Sequence, residues 1–298
     1  MVEFQPGGST GTLEPVETTR HISPVVLRRE IGRRIRVARN EAGLNILEAA
    51  KRLEIAGSSL SRFETGDGPV TVHLVRSMMD VYDLRLDDVL DLIRQARIRG
   101  WWKQYGISDK DFVALETGAS QASHYELAFV PGLLQTADYA KALFESSTNA
   151  RNAEWVANRL AVRLTRQERL TDEEHPLELD AVMHEFVLRY PVGGAAVMRA
   201  QLEHLTLINE LPTVSLRVLP ASVAANESMY GAFIILDFPI AGQPSIATSP
   251  HALGEVRQDK SEQVEPARLR FAHLRSLALD PAESVALIDR TAEKLWSS

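Results

Sequence analysis

The sequence contains no cysteine, which excludes disulfides, thiolate zinc sites and thiol nucleophiles together and fits a reducing cytoplasm. Long apolar runs are missing as well: none approaches the roughly 20 residues of a membrane span. The opening stretch, MVEFQPGGSTGTLEPVETTR, has neither a basic start nor an apolar centre, so no secretory signal is expected. Its Gly, Thr and Pro content predicts a disordered arm over residues 1–23. Catalytic signatures are scarce too. None of the eight histidines has metal-ligand spacing, and there is no Gly-x-Ser-x-Gly elbow, Walker loop or dinucleotide fingerprint. His184-Glu185 are adjacent and do not converge, and Gly193-Gly194 reads as a turn. The expectation is no cofactor, no metal and no catalysis.

What the chain does have is an uneven charge. Its 298 residues suggest about two domains, and the net charge is −7. Residues 20–66, however, hold ten Lys+Arg against five Asp+Glu, a local +5. A short basic segment on an acidic body keeps its own field, and local field is what attracts phosphates.

Within that segment the apolar residues Leu27, Ile31, Ile35, Ala38 and Ala42 repeat at helical spacing. The opposite face carries Arg28, Arg29, Arg33, Arg34, Arg36 and Arg39. Gly43 ends this helix. Asn45 then caps a second, short helix over 45–53, with Glu48 closing a capping box, and Leu47, Ala49, Ala50 and Leu53 are its expected buried residues. After the turn Glu54–Gly57 comes Ser58-Ser59-Leu60-Ser61-Arg62-Phe63-Glu64-Thr65-Gly66. Leu60 and Phe63 anchor that helix in the core, while Ser58, Ser59, Ser61 and Arg62 point elsewhere. Two short helices joined by a tight turn, the second presenting small hydroxyls and an arginine, suit the major groove of DNA. Short side chains allow close approach to base edges, and arginine makes bidentate contacts to guanine. Further helices are predicted over 71–82 and 87–95.

The run Ile35-Arg36, Arg39, Gly43-Leu44, Asn45, Glu48, Ala50, Leu53, Ser58, Leu60-Ser61-Arg62-Phe63-Glu64 and Gly66 resembles the Cro/phage-repressor (Xre) helix-turn-helix family. The resemblance implies a five-helix DNA-binding unit over 24–97, and a structural pair between Glu64 and an arginine of the first helix, Arg39. It implies DNA contacts from Ser58, Ser59, Ser61, Arg62, Asn45, Arg36 and Arg39, with Leu60, Phe63 and Glu64 holding the helix in place. Three positions depart from the pattern. Glu54 replaces the usual turn glycine, Ala56 the usual Ser or Thr cap, and Gly57 a Gln that often reads a base or phosphate. The cap is therefore expected at Ser58.

Residues 98–298 read as a larger α+β domain, so the whole is mainly α with a C-terminal α+β domain. Trp101, Trp102 and Tyr105 open it, either as core residues or as an interdomain contact. Residues 108–180 read as helical, with Thr136 capping a helix. Arg159, Arg163, Arg166 and Arg169 form a basic stripe, read as a solvated helix face. Strands are predicted over 177–182, 214–219 and 233–238, and helices over 194–211, 262–279 and 281–296. The stretch 241–250 looks polar and irregular.

Pro131-Gly132-Leu133-Leu134-Gln135-Thr136 with Tyr139-Ala140, Arg163 with Arg166-Gln167, and Val218-Leu219-Pro220 resemble the uncharacterised domain that follows Xre-type units in filamentous actinobacteria. That resemblance implies an antitoxin-like, cytoplasmic regulator whose large domain binds a small partner protein encoded nearby. Double-stranded DNA and a second copy of the chain are the other expected partners, with no membrane. A small-molecule signal is the alternative, and an enzyme domain tethered to DNA the third reading.

Overall fold

The structure is a computed structural model that describes residues 23–148, 150–223 and 227–296; the arm read over 1–22 lies outside them. Ser23, assigned to that arm, is buried and caps the first helix, its hydroxyl accepting from the Val26 amide. Five helices follow: α1 (Pro24–Glu41), α2 (Ile46–Arg52), α3 (Gly57–Glu64), α4 (Val72–Tyr82) and α5 (Asp87–Gln95). Leu27, Ile31, Ile35 and Ala38 of α1 join Ala49, Ala50, Leu60, Phe63, Val75 and Ile93 in one core. Gly43, at φ +70°, ends α1 in a conformation that costs glycine nothing.

The larger unit is a six-stranded sheet with helices on both faces. Its elements are α6 (Phe112–Glu116), β1 (Gln121–Glu126), α7 (Ala137–Ser146), α8 (Ala153–Gln167), β2 (Glu178–His184), α9 (Ala195–Ile208), β3 (Val214–Leu219), β4 (Phe233–Asp237), β5 (Ile246–His251), β6 (Gly254–Gln258), α10 (Ser261–Leu277) and α11 (Pro281–Leu295). The strand order is β3-β2-β1-β4-β5-β6. β1, β2 and β3 are parallel, β1 joined to β2 through α7 and α8 and β2 to β3 through α9, whereas β4, β5 and β6 are antiparallel. Along β2, Leu179, Ala181 and Met183 enter the main core while Val182 faces a second core under α10, the two-residue period of a strand covered on both sides.

Two sequence expectations are corrected here. Residues 108–180 are not helical throughout: β1 lies inside them at the centre of the sheet. It is Gln-Ala-Ser-His-Tyr-Glu, and its four middle residues are all buried, so no apolar/polar alternation marks it. The stretch 241–250 is not irregular to its end, because β5 begins at Ile246. Pro250 is tolerated there because it lies past the last β4–β5 pair, Ile234 with Thr248, where no β4 residue is paired opposite it. Trp102 is fully buried in the main core, its indole N–H donating to Asp109 at 3.1 Å.

The two units share one helix. Val25 and Val26, in the first turn of α1, belong to the core of the sheet domain. The remainder of α1 belongs to the helical one.

Candidate nucleic-acid interface

α3 is fixed to α1 by backbone proximity and by charge. The helices cross at Gly32, where an added Cβ would lie 2.5 Å from the Phe63 carbonyl oxygen and 2.6 Å from that of Glu64. Two turns beyond the crossing, Arg39 Nε donates to Glu64 Oε1 at 2.6 Å and Nη2 to Oε2 at 3.0 Å. Its Nη1 donates to the Leu44 carbonyl and to Asn40 Oδ1. With Leu60 and Phe63 turned into the core, Ser58, Ser59, Ser61 and Arg62 stand exposed along one face of α3. Arg62 lies back lightly on its own loop, Nη2 at 3.4 Å from the Asp67 carbonyl.

Of the other expected contacts, Arg36 is exposed on α1 with no ion pair to any described residue, and Asn45 is exposed at the start of α2. Asn45 Oδ1 accepts from the Leu47 and Glu48 amides at 3.0 Å, and Glu48 Oε2 accepts from the Asn45 amide at 2.9 Å. The capping box is complete, which leaves the Asn45 NH2 group as its free donor. Arg39 does not fit a DNA contact. It is 7% exposed and committed to Glu64, Asn40 and Leu44, so it positions α3 from beneath.

The cap of α3 differs from expectation. Ala56 occupies the N-cap, no side chain caps the helix, and Ser58 lies within its first turn. A helix start without a side-chain cap leaves amide donors outward, where a phosphate oxygen satisfies them. Leu47, expected in the core, is 72% exposed, and Gly57 lies against it: a Cβ there would be 3.2 Å from Leu47 Cδ2. Glu54 takes the left-handed conformation, φ 55°. The turn geometry of the glycine-bearing pattern is thus kept, with strain in place of glycine.

The basic face of α1 is narrower than its sequence suggests. Arg28 pairs with Asp109 at 3.0 Å and Arg29 with Asp259 at 2.8 Å, both acids of the large domain. Arg33 and Arg34 converge on the buried Glu30 at 2.7 and 2.6 Å, and Arg34 also reaches Asp88. Burial alone would push the Glu30 carboxyl up, but the hydrogen bonds from Arg33 and Arg34 outweigh it and hold it below the ordinary range. Among the described residues, the exposed cations in no ion pair include Arg36, Lys51, Arg52, Arg62 and Arg76. Asp109 and Asp259 could not be paired with α1 from sequence, since they lie 81 and 230 residues from their arginines.

The stripe from Arg159 to Arg169, on α8 and the turn after it, is also corrected. Arg166 pairs with Glu116, and Arg169 is buried, donating to the carbonyls of Thr117, Ala119 and His175. Arg163 turns inward against Gln135, and Arg159 lies over the Trp155 ring, 5.4 Å from its centroid. A helix face whose arginines serve buried acceptors is not a solvated one. His184 Nδ1 accepts from the Phe186 amide and Glu185 from the Ala221 amide, both closing turns. No cluster of His, Cys, Asp or Glu suited to a metal occurs among the described residues. No helix among them is long and apolar enough to cross a membrane.

Comparison with known families places two units on the chain. Residues 30–92 match a helix-turn-helix domain, and residues 109–290 match a domain of unknown function, DUF5753. No curated protein and no solved structure matches the chain.

Proposed function

Because the chain belongs to the DUF5753 family and carries a helix-turn-helix domain ahead of that region, we propose that it is a sequence-specific transcription regulator. In this reading the large domain decides when α3 binds DNA. The observation that carries it is the exposed face of Ser58, Ser59, Ser61 and Arg62, held out by the Arg39–Glu64 pair and by the crossing at Gly32. α3 enters the major groove. Arg36, Lys51, Arg52 and Arg76 hold phosphates, and the open amides at the start of α3 take another.

A single helix of eight residues covers only a few base pairs. Two copies related by a two-fold axis reach half-sites about one helical turn apart, so the active species is a homodimer on a palindromic site. The protein works in the cytoplasm and has no reaction of its own. Control comes from a small protein encoded beside it, bound by the large domain, which makes the regulator antitoxin-like. Support for such control lies in α1: its first turn is planted in the core of the sheet domain, and its third turn onward clamps α3. Arg28–Asp109 and Arg29–Asp259 tie the same helix to the large domain. A shift of the sheet domain therefore moves the helix that aims α3.

The test is selection of bound fragments from random-sequence duplex DNA by the full chain. The expected result is an enriched motif with two-fold symmetry. Retention that tracks only salt and length, with no motif, would remove the proposal of sequence specificity.

A further inference from the structure

α8 sends two arginines into the sheet domain, and their circumstances differ. Arg166 meets the buried Glu116 carboxylate, Nη2 at 2.9 Å from Oε1. Arg163 makes no ion pair among the described residues; its hydrogen bond goes to Gln135 Oε1. The guanidinium is nonetheless held in one place. On one side lies Gly132, where a Cβ would come within 2.7 Å of Nη1. On the other lies the Phe144 ring, its centroid 5.1 Å from Cζ.

The support around it is rigid. Gln135 Nε2 donates to the Val130 carbonyl at 2.7 Å. Gln167 Nε2 donates to the carbonyls of Gly132 and Gln135 at 3.1 and 2.7 Å. Gln201 Nε2 donates to the Leu134 carbonyl at 2.8 Å. The Pro131–Thr136 turn is thus a fixed cradle for one cation. Burial, then the neighbouring Arg166, push the Arg163 guanidinium well below its ordinary range, as expected of a charge that nothing anionic answers at close range.

Arg163 lines a cavity of about 310 Å³, at the small end of ligand sites. The same cavity is lined by two carboxylates. Glu126 holds His124 Nε2 at 3.1 Å, and Glu255 is bonded to Thr248 and, at 2.9 Å, to Arg257. Phe129, Leu143 and Ile234 supply apolar wall. A fixed cation with donors to spare, carboxylates and apolar surface in one small space define a ligand with both charges and a short apolar body. We infer that this cavity binds a free α-amino acid with an apolar side chain, its carboxylate on Arg163 and its ammonium toward Glu126 and Glu255. The guanidinium edge offers the bidentate geometry a carboxylate prefers. The inference stands apart from the reading of α3, because ligand binding is measured without DNA.

The experiment is calorimetric titration of the full chain with leucine, valine, methionine and phenylalanine, each separately. For the tightest binder of the four, the same measurement follows with its amine, which lacks the carboxylate, and its acid, which lacks the ammonium. Saturable binding at one ligand per chain is expected for at least one amino acid. Both analogues and the Arg163→Gln chain should bind at least about tenfold more weakly. Should Arg163→Gln fail to fold, by its circular dichroism, Glu126→Gln takes its place with the same expected loss. Absence of binding by all four amino acids at millimolar concentration overturns the inference. So does binding that is unchanged in the folded variant, or an amine or acid that binds as well as its parent.

Discussion

Arg39 and Glu64 share two hydrogen bonds, at 2.6 and 3.0 Å, in a place where each residue is less than a tenth exposed. The pair joins the helix that both cores own to the helix that faces DNA. Removing one partner leaves the other charge buried and unanswered, which costs about 3–5 kcal/mol. Arg39→Ala should therefore lower the unfolding free energy by that amount in urea titration. The double variant Arg39→Met with Glu64→Leu should recover most of it. Equal destabilisation by the single and double variants would mean that packing, not the pair, fixes α3.

Gly32→Ala should destabilise the helical unit by about 1–3 kcal/mol. The added methyl would lie 2.5 Å from a backbone carbonyl oxygen of α3, and backbone cannot turn aside as a side chain does. Thermal unfolding checks this. An unchanged midpoint would show that the crossing is looser than described.

Glu54→Gly should stabilise. Glu54 holds φ 55°, a conformation that costs an L-residue roughly 1–2 kcal/mol and glycine almost nothing. Glycine also enlarges the unfolded ensemble, so the net gain expected is about 0.5–1 kcal/mol. The same unfolding measurement reads it, and a loss in place of a gain would refute the strain.

The carboxyl of Glu30 sits below its ordinary range, so the folded state holds its proton less tightly than the unfolded state does. Its stabilising contribution is full above the unfolded value, near 4.5, and disappears as pH falls through the lower folded value. Glu30→Gln should thus be less stable than the parent at neutral pH. The gap should close as denaturation midpoints are followed below pH ~4.5. A gap constant with pH would assign the loss to shape rather than charge.

The legible part of this protein was its local chemistry. The spacing of Leu27, Ile31, Ile35 and Ala38, the Asn45–Glu48 box and the Gly43 stop were readable because helix faces and caps are properties of neighbouring residues. The Arg39–Glu64 pair was readable through family resemblance. What the sequence hid depended on distant partners. Arg28, Arg29, Arg33 and Arg34 looked like free charge until Asp109, Asp259 and Glu30 met them. β1 hid because a strand covered on both faces shows no alternation. Leu47 looked like core by type, yet two residues before Ala49 it stands about 200° around α2 from it, on the outer side. Arg166 and Arg169 looked solvated because their acceptors, the Glu116 carboxylate and the carbonyls of Thr117, Ala119 and His175, carry no sequence mark.

The central claim is that α3 reads DNA sequence. It is tested most directly by titrating the parent chain and Arg62→Ala against a selected site and against random duplex of equal length, at one fixed salt concentration. If Arg62 touches a base edge, affinity for the selected site falls by about 1–3 kcal/mol while affinity for random duplex changes far less. An equal loss on both duplexes, or no loss on either, would contradict that account.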